Sequence, residues 1–228
     1  ARSRGLGDVY KRQSLNNFFV SKNNNKTIQV LKNILFSSDS GAQIFIDDLG
    51  SNGKSYLLQA ICNDFSNSNN SSIYIPMEEA INLDPSILEG VSELNLICID
   101  DVDLINKRRE WEIALFNLIN ECYEKECFLL LSGSINKLEA IPDLVSRIKK
   151  METLRLEAIN DDELLEATQA ISKNLNIEIS DKNMNYLINN SKRDIKTIFR
   201  TLSQLERESL ERKKSIGLNL IKEVIRSS

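Results

Sequence analysis

Asp48-Leu49-Gly50-Ser51-Asn52-Gly53-Lys54-Ser55 lies between an apolar run, Ile44-Phe45-Ile46, and a helical pattern carried by Tyr56, Leu57, Leu58, Ile61 and Phe65. Strand, tight loop and helix in that order are the setting of a phosphate-binding loop. Backbone N–H groups of such a loop and of the helix start converge on an anion, and the helix dipole adds to their pull. Gly50 and Gly53 would be the loop glycines of a nucleotide site, Lys54 would reach the β- and γ-phosphates, and the Ser55 hydroxyl would ligate Mg²⁺. The first glycine of G-x-x-x-x-G-K-[ST] is absent, because Asp48 holds that position. Taken alone, the octapeptide also fits a glycine-bearing turn with no ligand.

Downstream, Leu94-Asn95-Leu96-Ile97-Cys98-Ile99-Asp100-Asp101 reads as a buried strand ending in paired acids, since a near-continuous apolar run is what a central parallel strand shows. Placed beside the loop's strand, Asp100 would complete a Mg²⁺ shell and Asp101 would orient an attacking water. A strand followed by an Asp-rich turn is the plainer alternative. Around these stretches, residues 26–36 read as a helix and Ile73-Tyr74-Ile75 as a short strand stopped by Pro76. Residues 81–93 read as a segment carrying a helix that ends near Gly90. Trp111 to Tyr123 reads as a helix, Phe128 to Leu131 as a strand running into Ser132-Gly133-Ser134, Pro142 to Arg147 as a short helix and Thr153 to Leu156 as the last strand. Strands alternating with helices imply a parallel sheet covered on both faces.

From Asn160 the pattern becomes helical only. Asn160 with Glu163 has the form of a capping box, Ser180 opens a second helix, Ile195 to Leu205 stripe a third and Leu218 to Ile225 a fourth. A small helical domain over 159–228 is therefore expected after a nucleotide-binding domain over 14–158.

Composition narrows the classes. A net charge of −4 argues against a chain that coats nucleic acid by bulk attraction. Histidine is absent, so no histidine metal site or general base exists. Cys62, Cys98, Cys122 and Cys127 lack zinc-site spacing and read as reduced core thiols of a cytoplasmic protein with no membrane segment. Residues 1–13, ending Asp8-Val9-Tyr10-Lys11-Arg12-Gln13, read as the in-frame translation of a sequencing adaptor, so the natural N-terminus is expected to be missing.

Together these stretches resemble the DnaA/Hda-like family of AAA+ proteins, over about residues 14–226. Leu96 to Val102 is similar to the strand and acids of DnaA. Trp111 to Phe116, and Leu118 to Gly133, are similar to the Hda branch, the DnaA regulatory inactivators. Pro142-Asp143-Leu144-Val145-Ser146-Arg147 resembles the Hda arginine-finger segment, and Thr197 to Leu205 its third lid helix. The resemblance implies an AAA+ P-loop domain and an all-α lid, with ADP or ATP and Mg²⁺ as ligands. Arg147 would be an arginine finger offered in trans, and Lys196 a lid residue over the phosphates. It also implies partners: DnaA, whose ATP hydrolysis would be stimulated, and the DNA polymerase III sliding clamp, with DNA met only indirectly and a homo-oligomer compatible with a finger in trans.

The clamp would be held through a glutamine-leucine type peptide that is not found between Ser14 and Lys26. Such a protein would restrain re-initiation of replication. The alternatives are an autonomous ATPase of helicase-loader type, a DnaA fragment lacking its DNA-binding domain, or a scaffold that binds no nucleotide. The chain ends after the fourth lid helix, which favours the Hda branch. Asp48, Ser134 (where relatives carry an acid) and Lys196 (where arginine is usual) lead to an expectation of weak intrinsic hydrolysis.

Overall fold

The computed structural model describes residues 14–15, 18–37, 41–48, 53–68 and 70–227. In chain order the α/β part contains α1 (Asn25–Ser37), β1 (Gln43–Asp48), α2 (Lys54–Asn67), β2 (Ser72–Pro76), α3 (Met77–Ala80) and β3 (Leu96–Asp100). It continues with α4 (Arg109–Glu124), β4 (Phe128–Gly133), α5 (Pro142–Lys150) and β5 (Glu152–Leu156). The helical part contains α6 (Leu164–Asn174), α7 (Asp181–Asn190), α8 (Ile195–Arg212) and α9 (Leu218–Ser227).

Among the described residues the strands form one five-stranded sheet in the order β2-β3-β4-β1-β5, and every pairing is parallel. The alternation of side chains across a strand explains why both faces are apolar. Phe45, Ile97, Ile99, Leu129 and Leu131 share one face with Trp111, Leu115, Leu118 and Ile119 of α4 and Leu144 and Ile148 of α5. Their in-between neighbours Ile44, Ile46, Leu96, Cys98 and Leu130 are also buried, on the face where α2 packs over β2 and β3 with Leu57, Leu58, Ile61 and Phe65. α1 lies against β5. Pro76 ends β2 at the sheet's edge, where a strand residue without an N–H is tolerated.

Strand order corrects one expectation. β3 does not lie beside β1; β4 is inserted between them, so the acids at the end of β3 meet β4 first. A second correction concerns residues 81–93. Helix stops at Ala80, and the chain continues through two short 3-10 segments, Pro85–Leu88 and Val91–Glu93. Pro85 removes a backbone donor and holds Asp84 extended (φ −77°, ψ 136°), and the Asp84 side chain then caps the N–H of Ser86.

The described residues divide into two compact units, one of 24–48 with 54–157, the other of 158–227 with 14–15, 18–23 and 53. In the helical unit Leu164, Ile171, Leu187, Ile198, Leu202, Leu205 and Ile221 form a core of their own. Residues 18–23 group here and not with the sheet as the 14–158 division expected, and Lys22 N–H donates to Glu163 Oε1 at 3.0 Å. The Asn160 capping box does not form: α6 starts at Leu164, with Glu163 as its first flanking residue and no side-chain cap. Ser180 and Asp194 do cap their helices, accepting from the N–H groups of Asn183 and Thr197. Among the described residues no helix is long and apolar enough to cross a membrane.

Candidate functional site

The C-terminal ends of parallel strands present backbone and side chains to a crevice, and helices that follow them begin there. α2 opens at Lys54 and Ser55, directly after Gly53, whose φ of 88° is a left-handed conformation natural to glycine. Lys54 Nζ reaches Asp101 Oδ1 at 3.4 Å, with side chains 11% and 25% exposed. Asp101 follows the last residue of β3 and has φ 55°, ψ 50°, a left-handed conformation that Asp tolerates better than most residues. Ser55 is half-buried beside Lys54. Gly50 and the side chain of Asp48 lie outside the described residues, as do residues 1–13.

Asp100 ends β3 and is only 3% exposed. Each of its oxygens takes a hydroxyl donor: Tyr74 Oη donates to Oδ2 at 2.9 Å, and Ser132 Oγ donates to Oδ1. Ser132 also accepts from the N–H of Asp101 at 3.1 Å, so one hydroxyl ties both acids to β4. Beyond β4, Asp103 Oδ1 accepts from Ser134 N–H at 3.2 Å, and the buried Asp47 accepts from Ile135 N–H at 3.1 Å while Arg155 Nε lies 3.5 Å from its other oxygen. The inserted strand thus holds the acids of β3 on one side and the end of β1 on the other.

Tyr74 and Ser132 had no assigned role in the sequence reading. The signal was register: Tyr74 pairs with Cys98 and Leu131 with Ile99, which puts Tyr74, Asp100 and Ser132 on one face of the sheet. Such pairing is non-local and cannot be counted along the chain.

Arg147 stands apart from this cluster. It projects from α5, exposed, with its guanidinium 5.9 Å from the centroid of the Phe116 ring on α4. The start of α5 is fixed by Glu112, a buried carboxylate of α4 that accepts from Ile141 N–H at 3.2 Å. Lys196 is the second residue of α8, half-buried in the helical unit. All four cysteines are buried thiols, and burial pushes the Cys98 thiol well up. No group of three or more Cys, Asp or Glu among the described residues could by itself hold a metal ion.

Residues 161–225 match the model of the Hda lid domain family. Solved structures match this fold over most of the chain. Domain III of the Thermotoga maritima replication initiation protein DnaA superposes with a TM-score of 0.71 at 20% identity, covering 94% of this chain and 95% of that one. AMPPCP-bound DnaA from Aquifex aeolicus gives 0.65 at 22% identity, over 89% of this chain and 69% of that one. The Thermotoga maritima RuvB Holliday junction branch migration motor gives 0.60 at 16% identity, over 96% and 73%. A lid domain of the Hda family, over residues 161–225, thus follows a parallel sheet with the fold of the DnaA AAA+ domain.

Proposed function

We propose that this protein binds ADP or ATP at the ends of β1, β3 and β4 and acts on DnaA as an Hda-type regulator of replication initiation. The observation that carries the reading is the meeting of Lys54 with Asp101, beside a buried Asp100, on a chain with an Hda lid. Lys54 would exchange Asp101 for phosphate oxygens, while the loop glycines Gly50 and Gly53 and the N–H groups at the start of α2 hold the anion. The oxygen donors Ser55 and Asp100 suit Mg²⁺, a hard cation that keeps several waters. When bound, it would neutralise charge on the phosphates. Asp101 would orient water, and Lys196 would approach the phosphates from the lid as a point charge.

Arg147 is the residue offered outward. An exposed guanidinium on a helix anchored by Glu112 is available to nucleotide held by another protein, where it would stabilise charge that develops in the transition state. A finger supplied in trans contributes about 10³–10⁵ in rate in related NTPases. The clamp contact, through a peptide absent from residues 14–26, would serve as a tether that raises effective concentration near DnaA on DNA.

The test is ATP turnover by DnaA in the presence of clamp-loaded DNA and this chain at high concentration. Slow turnover by the chain alone, stimulation of DnaA by wild type and loss of stimulation in Arg147→Ala would support the reading. Rapid turnover by the chain alone would favour an autonomous ATPase, and equal stimulation by the variant would remove Arg147 from its role.

A further inference from the structure

We propose that Tyr74 and Ser132 are positioning residues that fix the Asp100 carboxylate as an acceptor toward Mg²⁺ bound with the nucleotide. The inference rests on the nucleotide site proposed above. Asp100 is 3% exposed, and its two oxygens receive one hydroxyl each from the strands on either side, Tyr74 of β2 at 2.9 Å and Ser132 of β4. Two donors on opposite oxygens fix the plane of the carboxylate between its neighbours. They also draw negative charge away from the lone pairs that remain.

The Ser132 hydroxyl is not free to turn. It already accepts from Asp101 N–H, so its proton is directed at Asp100. A carboxylate held in this way offers a fixed acceptor to a hydrated cation, and Mg²⁺ dehydrates reluctantly. Removing the Tyr74 hydroxyl would loosen the acceptor and leave the Lys54–Asp101 pair in place, whereas removing the Ser132 hydroxyl also takes the acceptor from Asp101 N–H.

A purely structural role, tying β2 and β4 to β3, would lower stability but leave the metal's contribution to binding unchanged. The readout that separates the two is the Mg²⁺ enhancement of ADP affinity, measured by calorimetry in EDTA and in saturating Mg²⁺ for wild type, Tyr74→Phe, Ser132→Ala and Ser132→Thr. Wild type should bind ADP in both conditions and more tightly with Mg²⁺. Tyr74→Phe and Ser132→Ala should keep the affinity seen in EDTA while the Mg²⁺ affinity of the ADP complex falls about 10–100-fold, the usual cost of losing an outer-shell partner. Ser132→Thr, which keeps the hydroxyl, should behave as wild type, and Ser132→Ala carries the test if Tyr74→Phe does not fold. An unchanged Mg²⁺ enhancement in Tyr74→Phe and Ser132→Ala, or a wild type indifferent to Mg²⁺, overturns the proposal and leaves the nucleotide site standing. Absence of ADP binding by wild type in either condition overturns both.

Discussion

Lys54 Nζ lies 3.4 Å from Asp101 Oδ1, so the lysine expected to hold phosphate is engaged by an acid from β3. Phosphate and Asp101 would compete for the same ammonium. Asp101→Asn removes the charge and keeps a residue that tolerates the left-handed backbone at this position (φ 55°). ADP affinity should rise about fivefold, the equivalent of roughly 1 kcal/mol for a partly exposed pair. Calorimetry checks this, and weaker binding by the variant would show that the pair assists the ligand and does not compete with it.

Glu112 should matter to stability through one acceptor atom. Its Oε2 takes the N–H of Ile141 at the start of α5 in a buried setting. Glu112→Ala leaves that donor without its partner and should cost about 1–3 kcal/mol. Glu112→Gln keeps an oxygen at the same place and should cost clearly less. Chemical denaturation compares the two, and equal losses would mean that the hydrogen bond is incidental.

A pH signature belongs to the lid. Arg212 holds Glu223 with two hydrogen bonds at 2.8 and 2.9 Å and also reaches Glu208. The hydrogen bonds from Arg212, and then its charge, keep the Glu223 carboxyl below the ordinary glutamate value. A carboxylate depressed on folding contributes stability that is present above the unfolded pKa and is lost as pH falls through the folded one. The melting difference between wild type and Glu223→Gln should therefore be small but present at neutral pH and shrink below about pH 4.3. A difference that grows on acidification would contradict the assignment.

The parts legible in the sequence were those with local signals. Apolar runs gave the central strands, the stripes on Ile198, Leu202 and Leu205 gave the long lid helix, and Ser180 marked a helix start that the structure retains. Asn160 does not cap a helix: α6 begins four residues later, at Leu164, and Glu163 accepts from Lys22, far away in the chain. The 81–93 helix failed because Pro85 outweighs the apolar spacing around it. Of the candidate cluster, Lys54 and the paired acids carry local signals, but the hold of Tyr74 and Ser132 on Asp100 depends on β2 and β4 pairing with β3 on either side, which only the assembled sheet reveals.

The central claim is that Lys54 and its surroundings bind nucleotide. Its most direct test is the thermal shift of the purified chain with ADP and Mg²⁺, set against Lys54→Ala. At about 100 times Kd, ADP should stabilise wild type by roughly 2.7 kcal/mol, a rise of about 5–10 °C for a chain of this size. Lys54→Ala should melt like unliganded wild type whether or not ADP is present. A wild type that shows no shift with ADP, or a Lys54→Ala variant that keeps the full shift, would contradict the account.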